Sequence, residues 1–232
     1  MDNALGPDLE ALLRRRGAAL VGFADLSPIG TELRAGLPFA VAFGVTLAPS
    51  IVAGIAEGPT EEYAREYVRV NNLLDEIAEA GAVHLRKEGW RAEARKASAH
   101  PLPDDLITPL PQKTVATLAG LGWIGKCALL ITPQFGPAVR LNSILTDAPL
   151  PPAVPIVESE CSDCQVCVEI CPGHAPSGRN WKRGMARAEF FDAFACQAAC
   201  HRVGKERGLS QLICGRCVAQ CRFTQSWLAG PR

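Results

Sequence analysis

The 232-residue chain contains no run of 18 or more apolar residues, which a membrane-crossing helix requires. Its first segment has no charged stretch leading into an apolar core of the kind that marks a secretion signal. Arg14-Arg15-Arg16 lies within an ordinary amphipathic pattern with no apolar stretch behind it, so a twin-arginine export signal is refused. Net charge is missing too: 24 Lys and Arg balance 24 Asp and Glu. Residues 1–157 carry 14 basic against 17 acidic groups, and 158–232 carry 10 against 7. Neither half approaches the basic stripe that nucleic-acid binding needs. These absences set aside membrane and nucleic acid as partners and point to a cytoplasmic location.

Cysteine is abundant, and it is concentrated. Nine of the ten cysteines fall between Cys161 and Cys221. Without a secretion signal, closely spaced thiols read as metal ligands rather than disulfides. Four of them form Cys161-x2-Cys164-x2-Cys167-x3-Cys171-Pro172, the bacterial ferredoxin run. In it three thiolates hold one [4Fe–4S] cluster while the fourth, before proline, ligates another. Three close-set cysteines on a tight loop wrap one face of a cubane; the fourth begins a new segment and points away. A second motif, Cys214-Gly-Arg-Cys217-x3-Cys221, supplies three more thiols. By the same crossover Cys221 closes the first cluster with Cys161, Cys164 and Cys167, and Cys214 and Cys217 join Cys171 on the second. One ligand is outstanding. Cys196 and Cys200 lie at i and i+4 of an expected helix and so share a face. Cys196 is taken as the ligand, with Cys200 as a small buried apolar residue. A zinc-stapled interaction module is the bland alternative.

Along the rest of the chain, Asp8–Arg16 reads as a helix and Leu20–Phe23 as a short strand. Phe39–Leu47 reads as a buried strand. Thr60 is the expected N-cap of the longest helix, whose apolar residues Tyr63, Tyr67, Val70, Leu74 and Ile77 step by 4, 3, 4, 3 toward a stop at Gly89. This stripe reads as a core face. The proline-rich stretch Pro101–Pro111 excludes regular helix. A short helix to Ala119, a glycine loop, strands at Cys127–Thr132 and Val139–Thr146, and a stiff linker at Pro149–Pro155 follow. The expectation is an α+β domain over 1–157 with a ferredoxin-like domain over 158–232.

Gly120-Leu-Gly-Trp-Ile-Gly125 matches the dinucleotide pattern G-x-G-x-x-G. A phosphate site needs a strand before that loop and a helix after it, so that the helix N-terminus faces the pyrophosphate. Here a helix precedes and a strand follows, and Asp147 at a ribose-binding distance does not repair the order. Nicotinamide binding is refused.

The block Ala119-Gly-Leu-Gly-Trp-Ile-Gly-Lys126, then Leu129-Leu130, Pro133-x-Phe135-Gly136 and Ile144-Leu-Thr-Asp147-x-Pro149-Leu150, with the cysteine array behind it, resembles the epoxyqueuosine reductase family. That family is cobalamin-dependent and related in architecture to the reductive dehalogenases. The resemblance runs from about Leu110 to Phe223, and Tyr63 to Tyr67 resembles the start of the family's long helix. It implies a nitroreductase-like α/β sandwich that holds a corrinoid, followed by a ferredoxin-like domain with two [4Fe–4S] clusters. Gly120, Gly122, Trp123, Gly125 and Lys126 would border the corrinoid. The family's ligand pattern gives the same two sets of four cysteines, with Cys196 included.

Two departures stand out. The family's general acid, an aspartate in Asp-x-x-Pro fourteen residues before the loop's first glycine, is replaced by Leu106 in Leu106-Ile-Thr-Pro109. Asp104 and Asp105 lie nearby as substitute candidates or as exposed loop carboxylates. No further C-terminal region of the kind that grips transfer RNA is present, so a substrate other than epoxyqueuosine is expected. Lys126 reads as a contact to an anionic cofactor group or as a surface lysine. Cys127 reads as core, and Trp123 as packed beneath the loop. His84, His100, His174 and His201 are scattered; each reads as structural or exposed, with His174 a candidate to tune a cluster. Arg179, Lys182, Arg183 and Arg187 form a solvated face or a dock for an acidic donor such as ferredoxin or flavodoxin. Two functions compete: a small corrinoid-linked iron–sulfur reductase of unknown substrate, and an electron-transfer or activator protein serving a partner enzyme.

Overall fold

The computed structural model describes residues 4–98 and 104–230. His100 and the beginning of the proline-rich stretch lie outside them. The described chain forms two compact units. Met1–Thr46, Val70–Leu121 and Arg140–Ile156 make the first; Leu47–Arg69, Gly122–Val139 and Val157–Arg232 make the second. The division is therefore not a single cut at 157. Two earlier segments join the cysteine-bearing one.

The first unit is built on a sheet whose strands lie in the order Leu20–Asp25, Phe39–Thr46, Val139–Thr146, Ala92–Ala94. Helix α1 (Leu5–Arg15) leads into β1 (Leu20–Asp25), which pairs antiparallel with β2 (Phe39–Thr46) in the register Leu20 to Gly44. After α2 (Pro49–Ala53) comes α3 (Glu61–Lys87). Short β3 (Ala92–Ala94) then pairs antiparallel with β6 (Val139–Thr146). Between them lie α4 (Gln112–Leu118), β4 (Trp123–Ile124) and β5 (Leu130–Ile131). Val41 and Phe43 of β2 and Ile144 of β6 are fully buried, as are Leu9 and Leu13 of α1 and Val70, Leu74 and Ile77 of α3. The expected stripe on α3 is thus core, though Tyr67 at its start is only half-buried. Gly81 brings α3 against the sheet, since a Cβ there would stand 2.5 Å from Ile144 Cδ1.

The tail of this unit is extended and bonded. The Ala153 amide donates to the Phe23 carbonyl at 2.9 Å, and the Ile156 amide to that of Thr117 at 2.9 Å. A proline-rich segment has few amides to satisfy, so two such bonds tie it down.

In the second unit the cysteine segment folds into short helices joined by tight turns: α5 (Val166–Glu169), α6 (Ala193–Glu206), α7 (Arg216–Ala219) and α8 (Arg222–Leu228). Asp192 caps α6 by accepting from the Ala195 amide at 2.9 Å. The α2 turn is bound to α7: Arg216 and Arg207 donate to the Glu57 carbonyl, and Gln220 to that of Ala56. The β4–β5 hairpin is antiparallel, pairing Trp123 with Ile131. The expected strand over Cys127–Thr132 is shorter than its composition suggests. Cys127 and Ala128 form a turn, with Ala128 at φ +57°, and only Leu130–Ile131 is strand.

Candidate metal centre

The nine clustered thiols lie within the second unit. Cys221 lies in the charge neighbourhood of Cys161 and Cys164. Cys171 keeps company with Cys196, Cys200 and Cys214. Cys167 and Cys217 each meet the sulfur of Cys127. Burial pushes up the Cys214 and Cys221 thiols. Cys167 is raised by its hydrogen bond with Cys127 and then by burial. Main-chain amides point at the sulfurs: Ala175 donates to Cys171 Sγ at 3.4 Å, and Phe223 and Thr224 reach Cys221. Such donors steady a thiolate, as the soft ligand of an iron–sulfur group requires.

Cys196 and Cys200 lie one turn apart on α6, Cys196 half-buried and Cys200 buried. The hydrogen bond from Cys200 lowers the Cys196 pKa and raises that of Cys200. Gly173, just after Pro172, lets α6 approach, because a Cβ there would meet the Ala195 carbonyl oxygen at 2.6 Å. Among the described residues, no three His, Cys, Asp or Glu groups stand close enough to share one ion.

The glycine block has a clear structural role. Gly120, at φ +68°, follows the α4 C-cap, and a Cβ there would stand 3.1 Å from the Val154 carbonyl oxygen. At Gly122 a Cβ would collide with the Ile131 carbonyl oxygen. At Gly125 it would lie 2.6 Å from Ile131 Cγ1 and 3.5 Å from Cys161 Sγ. Trp123 is buried against Phe223, edge to face at 5.1 Å, and its Nε1 has no protein acceptor. Lys126 is 2% exposed, and its ammonium donates to the Ser162 and Cys164 carbonyls, each at 2.9 Å. It is not a surface lysine. The structure gives all five residues contacts within the chain, and the helix-then-strand order that argues against a dinucleotide is the one observed.

The remaining candidates do not converge. Asp104 and Asp105 are exposed, and the Asp105 carboxylate accepts from the Ile107 amide at 2.9 Å within its own loop. Leu106 adopts φ +57°. His174 and His201 are exposed, while His84 is half-buried with Nε2 unpartnered, in the first unit and remote in sequence from the thiols. Of the basic residues, Arg179 and Lys182 pair loosely with Glu189 and Glu158, at 4.0 and 3.5 Å, Arg183 is exposed and Arg187 is half-buried. Sequence reasoning missed the Lys126 anchor and the Cys127 contacts. Both depend on chain returning from more than 35 residues away, and only burial of a lysine inside an apolar block hinted at them.

No family model matches the chain. An epoxyqueuosine reductase of Bacillus anthracis is 44% identical over 63 residues, covering 27% of this chain and 16% of that protein. The match thus spans well under a fifth of that relative's length. Among solved structures, a catabolic reductive dehalogenase superposes with a TM-score of 0.69 at 21% identity, covering 94% of this chain and 31% of the other. An epoxyqueuosine reductase, solved with an epoxyqueuosine-modified transfer RNA stem loop, gives a TM-score of 0.64 at 17% identity, covering 96% and 66%. The two structural matches establish a shared mixed α/β fold, and the sequence match adds kinship. The chain is similar in sequence to epoxyqueuosine reductases over part of its length, and it shares its fold with them and with the reductive dehalogenases.

Proposed function

We propose that this chain is a cytoplasmic iron–sulfur oxidoreductase holding two [4Fe–4S] clusters, one on Cys161, Cys164, Cys167 and Cys221, the other on Cys171, Cys196, Cys214 and Cys217. The observation that carries this reading is the return of Cys221 to Cys161 and Cys164 while Cys171 stands with Cys196 and Cys214. Soft, amide-supported thiolates suit iron–sulfur ligation. When bound, such clusters supply one-electron transfer. What the chain contributes is a set of half-buried thiols, with Gly125 against Cys161 and Lys126 bonded to the Ser162 and Cys164 carbonyls.

A nitroreductase-like first unit and a ferredoxin-like second unit complete the reading, with ferredoxin or flavodoxin as the electron donor. A corrinoid is the further cofactor that the family resemblance implies. Of the five glycine-block residues, Lys126 is bonded to the chain itself, while the buried Trp123 Nε1 has no protein acceptor. The substrate is unidentified.

The second reading, an electron carrier or reductive activator of a partner enzyme, is favoured by one observation. Leu106 takes the place of the expected acid, and the neighbouring aspartates are solvent-facing. A carboxyl that cannot reach a substrate cannot protonate it. The test is anaerobic loading with iron and sulfide, followed by dithionite. Brown protein that bleaches reversibly supports both readings over a zinc module. Colourless protein that retains zinc overturns them.

A further inference from the structure

A buried ammonium needs an anion. Lys126 is 2% exposed, yet among the described residues its hydrogen-bond partners are the Ser162 and Cys164 carbonyls, not carboxylates. Carbonyl dipoles satisfy its donors but do not neutralise its charge, and an unpaired buried charge costs several kcal/mol. Both carbonyls belong to the loop that carries Cys161 and Cys164, and the charge is felt at Cys167. Two residues along from Trp123, Gly125 lies against Cys161. The cation near the other thiol group is different in kind: Arg216, beside Cys214, is paired with the Glu57 carboxylate at 3.6 Å.

We propose that Lys126 is the built-in counter-charge of the Cys161–Cys164–Cys167–Cys221 site, making the cluster there the more easily reduced of the two. The inference rests on the two-cluster reading. A cluster on four thiolates is a net anion, and one-electron reduction adds a further negative charge without breaking a bond or moving a proton. The ammonium favours that reduced form and, through its two carbonyls, holds the loop in the shape that binds the cluster.

The test is a dithionite titration of reconstituted protein, followed by electron paramagnetic resonance, with iron counted in parallel. In Lys126→Met, one cluster's reduction equilibrium should shift toward the oxidised form by about tenfold or more, which is about 59 mV for one electron, while the other cluster is unchanged. Loss of that one cluster, leaving about four irons, supports the proposal equally. Asn180→Ala removes an uncharged donor to the same Ser162 carbonyl and should leave both potentials in place. Lys126→Arg should restore them. Lys126→Met with both clusters at wild-type potential overturns the proposal, as does Asn180→Ala with the same shift. Should Lys126→Met hold no cluster, Lys126→Arg decides: two clusters at wild-type potential support the role, and none overturns it. Wild-type protein without iron would sink the two-cluster reading instead.

Discussion

Cys196 and Cys200 lie one helical turn apart on α6, and Cys196 is the proposed ligand. Cys196 is the thiol whose pKa is lowered by its neighbour, and Cys200 is the buried donor. Cys196→Ala is expected to lose one cluster, about four irons per chain, while Cys200→Ala retains both. Equal iron content in the two variants would show the assignment to be wrong. A similar contrast holds at the glycines. A methyl group at Gly122 meets main chain, and at Gly125 it meets the Ile131 side chain. Overpacking costs about 1–3 kcal/mol, so Gly122→Ala should lower the melting temperature more than Gly125→Ala. The reverse order would contradict the packing described. None of this was legible from G-x-G-x-x-G, because the pattern says that glycine is needed and not what approaches it.

At the scale of elements, α3 shows how a helix is started and held. The Thr60 hydroxyl accepts from the Tyr63 amide at 3.2 Å, the N-cap that its sequence position suggested. Thr60→Ala should cost about 1 kcal/mol, a few degrees in thermal melting. Glu66 does more than its sequence shows. Its carboxylate takes two hydrogen bonds from Arg69, at 2.7 and 2.8 Å, and one from the Ala48 amide at 3.0 Å. The Arg69 guanidinium foremost, and then the Ala48 amide against the opposing effect of burial, hold its pKa below 4.5. Because the folded value is depressed, this stability is full above 4.5 and fades as pH falls through the lowered pKa. Glu66→Gln should therefore be destabilised by about 1–3 kcal/mol at neutral pH, with the gap to wild type closing in acid. A gap independent of pH would contradict it. Periodicity made β6 legible to the residue and α3 nearly so, since alternation and 3.6-residue spacing are local. It overextended the strand after Lys126, where apolar composition masks a turn that needs a left-handed residue at Ala128.

For the whole molecule, the cysteine spacing is the basis of the proposed chemistry, while the topology stayed hidden. Spacing can point to a ligand loop because a cubane imposes it on neighbours in sequence. It is silent about Leu47–Arg69 and Gly122–Val139, which join the cysteine unit through long-range packing and hydrogen bonds. The measurement that tests the account most directly is iron and cobalt per chain, on protein purified without oxygen, incubated with hydroxocobalamin and desalted. The account predicts about eight irons. Cobalt retained at about one per chain would make the protein a corrinoid-linked reductase, and eight irons without cobalt an electron carrier. About four irons, or zinc in place of iron, would contradict the two-cluster centre on which the account stands.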